Sequence, residues 1–316
     1  MYIACIVPIK TTATNLGLKI HELDTFKGWT PPDGPFDLII AVSFGLFIPS
    51  RLLSAAKYGG LNVHPSLLPD LRGPAPLHHT LISGRKTTGI TLQTLHHKHF
   101  DHGIILDQTP APVPNPDSCT VSELLDFLAP KGANMLVNGI RNRYFVPPLK
   151  EVGSRATVYS DDGSNKFAHA AKITPEDRHI DWQNWTWTQI SRRQRVLQPL
   201  WNKALVPTRK KTDGDITQNL NGRRIIFGDL QPVPQETVPE SEGLKLLPGV
   251  PFISTGQKSS LFVYTVDGQL LRLSRLKVEG DKFNDALIAA QKARMFSPNT
   301  VRFSDVEFSL FLNPLH

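Results

Sequence analysis

The order of apolar runs predicts an α/β domain with a mainly parallel sheet, followed by a second, mostly β domain. Three observations carry this reading. In residues 1–150, short β-branched runs alternate with amphipathic segments that open on a proline or a capping residue. Around residues 146–166 the chain turns irregular, with Pro147-Pro148 and Asp161-Asp162-Gly163-Ser164. Beyond that point strand-like runs dominate, two of them joined by Asp267-Gly268, a hairpin signal.

The elements follow in order. Asp37-Leu38-Ile39-Ile40-Ala41-Val42 reads as a strand covered on both faces. Pro49 suits the first turn of a helix carrying Leu52, Leu53 and Ala56, which Gly59-Gly60 ends. Leu61–His64 is the next strand, Pro76–Ser83 a helix, Gly89–Leu95 a strand and Gly103–Leu106 a short one. Thr120-Val121-Ser122-Glu123 fits a capping box, with Val121, Leu124, Leu125 and Leu128 on one helical face. In the second half, Thr188–Leu197 reads as a helix, and Arg224–Phe227, Ser260–Val266 and Gln269–Val278 as strands. Residues 229–258, rich in Pro, Gly, Glu and Ser, read as a long surface loop, and Asn284 as the N-cap of a helix reaching Arg294. A small barrel with flanking helices accommodates this second half. The expected division is 1–147, a linker over 148–166, and 167–316.

Composition narrows the classes. A 40% hydrophobic content over 316 residues supports two cores and excludes wholesale disorder. No apolar run approaches the ~20 residues of a bilayer-spanning helix, so no membrane role is expected. Two cysteines, Cys5 and Cys119, make no disulfide framework and fit a reducing compartment. The net charge of +7 is spread evenly: residues 1–150 hold 13 Lys+Arg against 10 Asp+Glu, the remainder 22 against 18. The charge permits an RNA partner without demanding one.

The densest passage for chemistry is Gly60 to Pro76. Asn62 and His64 are two apart near a strand's C-terminal end and share a face, where ligands of open α/β sheets bind. A neutral amide beside an imidazole suits a carbonyl carbon under nucleophilic attack, the NH₂ donating to the developing oxyanion and the ring donating or moving a proton. Prolines on both sides of Ser66-Leu67-Leu68 stiffen the loop that would hold a substrate. In Phe100-Asp101-His102-Gly103, a carboxylate could orient the His64 ring, and Gly103 would let the loop backbone approach a flat ligand. The bland alternatives are an Asn turn, a satisfied core histidine and an Asp in an ordinary turn. The histidines at 78, 79, 96, 97, 99 and 102 have no cysteine among them and fit no ligand spacing, so no metal is expected.

The run Asn62-x-His64-Pro65-Ser66-Leu67-Leu68-Pro69-x-x-Arg72-Gly73, then Thr88-Gly89-Ile90-Thr91-Leu92 and Asp101-x-Gly103, resembles the folate-dependent formyltransferases. The resemblance implies a Rossmann-like fold and transfer of a formyl group from 10-formyltetrahydrofolate to an amine. It implies Asn62, His64 and Asp101 as catalytic residues. Ser43, Phe44, Gly45, Ser66, Leu67, Leu68, Pro69, Phe100, His102 and Gly103 would surround the folate. Ala171-Lys172-Ile173, Ile180-Asp181-Trp182, Arg195 through Pro199-Leu200-Trp201, and Val278 through Lys282 resemble the C-terminal domain of methionyl-tRNA formyltransferases. That implies an OB-like barrel and a tRNA face formed by Arg72, Arg192, Arg193, Arg223, Arg224, Arg272 and Arg275, with initiator methionyl-tRNA as acceptor. Formylation of another amine, or a non-catalytic RNA- or folate-binding remnant, are the alternatives.

Three departures bear on these expectations. The family's opening strand, Gly-Thr-x-x-Phe loop, helix and second strand are missing, so a chain truncated at its N-terminus is expected, with a mitochondrial matrix location, or a cytoplasmic one if Met1 is the true start. The interval from Gly89 to Asp101 is one residue longer than the common pattern, which a β-bulge could absorb. Residues 205–260 match the family poorly. A monomer is expected.

Overall fold

The computed structural model describes residues 8–31, 34–156, 167–212, 215–235, 247–254, 260–295, 302–303, 306–308 and 311–312. Asp161–Ser164 of the expected linker, and Cys5, lie outside them.

The first half opens with α1 (Pro8–Asn15) and continues with β1 (Ile39–Ala41), α2 (Ser50–Ala55), β2 (Gly60–His64), α3 (Pro76–Ile82), β3 (Thr87–Thr94), β4 (Ile105–Pro112) and α4 (Val121–Arg141). The sheet order is β1-β2-β3-β4. It is mixed: β1 and β2 are parallel, whereas β2–β3 and β3–β4 are antiparallel, so among the described strands the mainly parallel expectation is refined to one parallel pair. Leu61, Ile90, Leu92, Leu106, Leu124, Leu128 and Met135 form the core beneath α4. The helix opens with the expected capping box, the Thr120 hydroxyl accepting from Glu123 N and the Glu123 carboxylate from Thr120 N. Leu124 and Leu128 are buried, but Leu125 faces solvent, one step round the helix from the core stripe.

Four further expectations change here. β1 spans only three residues, and Ile40 and Val42 are nearly half exposed, so this strand is not covered on both faces. Pro49 is the N-cap of α2 rather than its first helical residue. The strand expected at Gly103–Leu106 instead runs from Ile105 to Pro112, because pairing with β3 extends it through Pro110 and Pro112. The β3–β4 register slips by one at Leu92/Gln93, and the extra residue is Leu106 on β4 rather than one between Gly89 and Asp101.

The second half contains a 3₁₀ turn (Glu176–Arg178), α5 (Trp187–Leu197), β5 (Trp201–Thr212), β6 (Asp215–Pro232), β7 (Phe252–Ser254), β8 (Ser260–Tyr264), β9 (Leu270–Val278), β10 (Asn284–Asp285), α6 (Ala286–Lys292), β11 (Arg302–Phe303), β12 (Val306–Phe308) and β13 (Phe311–Leu312). Every pairing in this sheet is antiparallel, in the order β11-β12-β7-β8-β9-β6-β5-β13, with β10 paired to β9. The order is a path with two ends; no pairing closes it into a ring among the described residues. Its core gathers Trp182, Ile190, Ala204, Ile225, Phe227, Leu261, Leu271, Leu276, Ala290 and Phe311. Residues 229–258 are not one long loop: β6 runs through Pro232 and β7 begins at Phe252. Asp285, not Asn284, caps α6, its carboxylate accepting from the backbone of Leu287 and Ile288.

The two halves meet along the loop that follows β2. Leu71 N donates to Ala168 O (2.8 Å), Ala170 N to Arg72 O (2.7 Å) and Ala75 N to Ala170 O (3.2 Å). Gly73 lies between them at φ +121°, and a Cβ there would sit 2.4 Å from the Ala170 carbonyl oxygen. Asp70 pairs with Arg85, both buried, and also accepts from Ala168 N (3.1 Å). On the opposite side α3 packs on α5, and the Arg195 guanidinium donates to the carbonyls of Pro116, Asp117 and Cys119.

Candidate active site

β2 delivers Asn62 and His64 to the same side of the sheet, opposite Gln93 and Thr91 of β3. The loop after β3 returns Asp101 to this point, with Asp101 itself in the left-handed region at φ +57°. Asp101 Oδ1 lies 3.5 Å from His64 Nδ1. The other ring nitrogen, Nε2, donates to the carbonyl of Leu71 at 3.0 Å. Both ring nitrogens therefore face oxygens. The ring is held between a carboxylate and a backbone carbonyl.

Asp101 is held by two bonds to its carboxylate and one to its backbone. Oδ2 accepts from Gly73 N at 3.0 Å, Oδ1 accepts from Gln93 Nε2 at 3.0 Å, and the Arg72 guanidinium donates to the Asp101 backbone carbonyl at 2.7 Å. Burial lowers the Arg72 guanidinium from its usual value, and the Asp101 charge opposes that shift. Asn62 donates through Nδ2 to the carbonyl of Ala41 (3.1 Å) and accepts at Oδ1 from Gln93 Nε2 (3.1 Å). Asn62 and Asp101 thus share one donor, and His64 adjoins Asp101.

A cleft opens beside these groups. Asn62, Gln93 and Asp101 line it together with Phe44, Phe47, His96, His99 and Phe100. Phe47 and Phe100 meet edge to face with centroids 5.1 Å apart, and Phe100 is 56% exposed, forming an apolar rim.

Several residues expected around the folate lie elsewhere. Ser66 and Leu68 are about 1% exposed. Ser66 Oγ donates to Asp70 O (2.6 Å), Leu68 N donates to Thr91 Oγ1 (3.1 Å), and Leu68 O accepts from Gln108 Nε2 (2.7 Å) and Ser154 Oγ (2.8 Å). These groups hold the loop, and Leu67 lies over Gly89 at the sheet, so none of the run from Ser66 to Pro69 lines the cleft. At Gly103 a Cβ would fall 1.7 Å from the Thr94 carbonyl oxygen, so the glycine lets the loop approach the β3 backbone closely. Of the remaining expected positions, Phe44 and Phe100 line the cleft, Ser43 and Gly45 flank Phe44 in the exposed loop after β1, and His102 is exposed with Nδ1 donating to Phe100 O. Gln93 is a site residue that motif reading passed over. Its signal was a single amide in an otherwise apolar and threonine-rich strand, and it is 2% exposed.

The expected arginine face is divided. Arg72 is committed to the Asp101 loop, and Arg192 and Arg193 belong to α5, not to a barrel strand. The Arg192 guanidinium packs on Gly84, and Arg193 lies over the Trp185 ring at 3.9 Å, where burial lowers it. Arg223 is turned to the Glu279 carbonyl at the end of β9. The outward face of the sheet presents Arg224, stacked over Trp201 at 4.1 Å, opposite Lys203, with Lys277 opposite Ile226 and Arg275 beside Phe283. Arg272 is exposed and donates to Gln231 Oε1 at 2.8 Å. Among the described residues no group of His, Cys, Asp and Glu side chains is arranged to hold a metal ion, and no helix is long and apolar enough to cross a membrane.

Residues 34–140 match the formyl transferase family model, and residues 172–292 match the model of the formyl transferase C-terminal domain. A methionyl-tRNA formyltransferase of Bacillus cytotoxicus is 30% identical over 268 residues, covering 75% of this chain and 81% of that protein. The mitochondrial methionyl-tRNA formyltransferase of Homo sapiens is 37% identical over 204 residues, covering 62% of this chain and 48% of its own length. The chain spans about half the length of the mammalian relatives it matches. Among solved structures, HypX from Aquifex aeolicus in complex with tetrahydrofolic acid is 16% identical, covering 82% of this chain and 39% of that one at a TM-score of 0.46. With both halves matched in order, and most of the bacillar protein spanned, the chain belongs to the formyl transferase family, alongside methionyl-tRNA formyltransferases.

Proposed function

We propose that this chain transfers the formyl group of 10-formyltetrahydrofolate to the amino group of methionyl-initiator tRNA. The observation that carries the reading is that Asn62 and Asp101 line one aromatic-rimmed cleft while His64, buried behind it, stands with Nδ1 3.5 Å from Asp101 Oδ1. The folate supplies a formyl carbon already activated for transfer. In the transfer one C–N bond forms and one breaks. Asn62 Nδ2 donates to the formyl oxygen as negative charge grows there. The His64–Asp101 pair takes the proton shed by the incoming amine and returns one to the departing nitrogen. Phe44, Phe47 and Phe100 provide apolar surface for the flat ring system.

The same reading assigns phosphate contacts to the outward strip of Lys203, Arg224, Arg272, Arg275 and Lys277, cations on neighbouring strands, with Glu279 beside Arg224 and with Asp229 and Asp285 opposite Arg275. It also keeps residues 1–147 as the catalytic unit, 167–316 as the tRNA-holding unit, a monomer, and a place in the mitochondrial matrix. The last is supported by the mitochondrial designation of the human, bovine and yeast relatives.

The test is a single-turnover assay with 10-formyltetrahydrofolate and charged initiator tRNA. Removing one oxyanion donor costs roughly 10²–10³ in rate, so Asn62→Ala and His64→Ala should each lose at least that much while filter-bound tRNA is retained. Wild-type rates in both variants would refute the site. Preference for a small amine over the charged tRNA would move the acceptor to another class.

A further inference from the structure

We propose that Gln93 is a positioning residue that fixes which end of the Asn62 amide faces the reacting atoms. The inference rests on the formyl-transfer reading of this site and names a residue that reading does not use.

Gln93 joins the two polar side chains of the cleft that do not touch each other. One amide nitrogen, Nε2, donates to Asn62 Oδ1 at 3.1 Å and to Asp101 Oδ1 at 3.0 Å, which commits both of its protons. Its oxygen, Oε1, accepts from Gly103 N at 3.2 Å. A backbone N–H can only donate, so it selects one of the two orientations of the Gln93 amide. A carboxylate can only accept, so Asp101 selects the same one from the other end. The direction then passes to Asn62: with Oδ1 receiving from Gln93, the NH₂ is turned the other way, where it meets the Ala41 carbonyl, and the Asn62 side chain lines the cleft. Reversing Asn62 would bring two donors together at Gln93 and two oxygens together at Ala41. The chain from Gly103 through Gln93 to Asn62 therefore has a single polarity, set by the backbone. It holds a donor where negative charge is to develop. At 2% exposure Gln93 makes these bonds largely shielded from bulk solvent.

Two variants of similar shape separate this role from packing. Gln93→Met keeps the volume and removes every polar atom. Gln93→Glu keeps the shape but replaces the donor with an acceptor, which favours the reversed Asn62 amide and sets a second carboxylate against Asp101. Misplacement of a reacting group by about 1 Å costs roughly 10²-fold, and loss of an oxyanion donor roughly 10²–10³-fold. Gln93→Met should therefore lower kcat by about 10- to 100-fold and Gln93→Glu by about 10²–10³-fold, with KM for folate and for tRNA held within about threefold. A second readout needs no turnover: the side-chain ¹⁵N–¹H₂ cross-peaks of Asn62 in the free protein should shift in both variants. Loss appearing in KM with kcat retained, kcat within twofold of wild type in both variants, or unmoved Asn62 cross-peaks would overturn the proposal. A wild-type chain inactive with both folate and tRNA present would instead count against the formyl-transfer reading, and the cross-peaks would still decide the role of Gln93.

Discussion

Replacing Gly73 by alanine should damage the site more than it damages the fold. Two costs are present at this position. At φ +121° the backbone lies where L side chains are strained, at about 1–3 kcal/mol. The added Cβ would also stand 2.4 Å from the Ala170 carbonyl oxygen and 3.0 Å from the His169 ring, and relieving such overpacking costs about 1–3 kcal/mol more. The relief must come from the loop moving off residues 168–170, and that movement draws Gly73 N away from Asp101 Oδ2, a bond to a charged acceptor worth about 1.5–3 kcal/mol. Gly268→Ala is the matched control: its φ is +77°, and nothing lies within 4 Å of the added Cβ, so only the backbone cost applies. Thermal unfolding should place Gly73→Ala several degrees below Gly268→Ala, at about 2–4 °C per kcal/mol for a chain of this order of size. In the single-turnover assay, Gly73→Ala should fall by at least tenfold while Gly268→Ala keeps its rate. Equal unfolding temperatures and equal rates for the two variants would refute the reasoning.

Other outcomes follow from the caps and from the contact between halves. The Glu123 carboxylate is held below its usual range by the Thr120 backbone N–H and hydroxyl. A lowered carboxylate value means stabilisation that is complete at neutral pH and lost as pH falls through that value. The unfolding-temperature gap between wild type and Glu123→Gln should accordingly close in acid, and a gap that widened there would contradict the capping box. Arg195 supplies hydrogen bonds to three carbonyls of the other half, and charged hydrogen bonds contribute about 1.5–3 kcal/mol. Arg195→Ala should speed amide hydrogen exchange around residues 115–120 at least tenfold while leaving β8 and β9 unchanged; uniform exchange across the chain would show that the contact carries no local stability.

Periodicity and punctuation made much of this fold legible. Leu61–His64, the Thr120 cap and the Asp267-Gly268 turn, with Gly268 at φ +77°, depend on neighbouring residues alone, so local rules suffice for them. What escaped depends on partners distant in sequence. β4 extends to Pro112 only because β3 pairs with it, and β2 meets β3 antiparallel across an intervening stretch that contains α3. Asp285 outranks Asn284 as the cap because Asn284 and Asp285 are drawn into pairing with β9, which fixes where the helix can begin. At the site, spacing put Asn62 and His64 on one strand face, while Asp101 joined them as a catalytic residue only through the family resemblance. The roles of Ser66 and Leu68 did not: their neighbours Thr91, Gln108 and Ser154 are far along the chain, and burial rather than residue type removed them from the cleft. Gln93 needed the pairing of β2 with β3, which puts it opposite Asn62.

The backbone ladder between residues 71–75 and 168–170 has a consequence for building hybrid enzymes. The two matched domains end and begin at 140 and 172, so a chimera joined anywhere in the interval would look neutral on paper. Yet Ala168 and Ala170 are the template against which the loop bearing Gly73, and through it Asp101, takes its shape. A donor first half must bring its own stretch through Ala170 as inheritance; an acceptor that keeps the foreign version would receive Asn62, His64 and Asp101 on a misaligned mount.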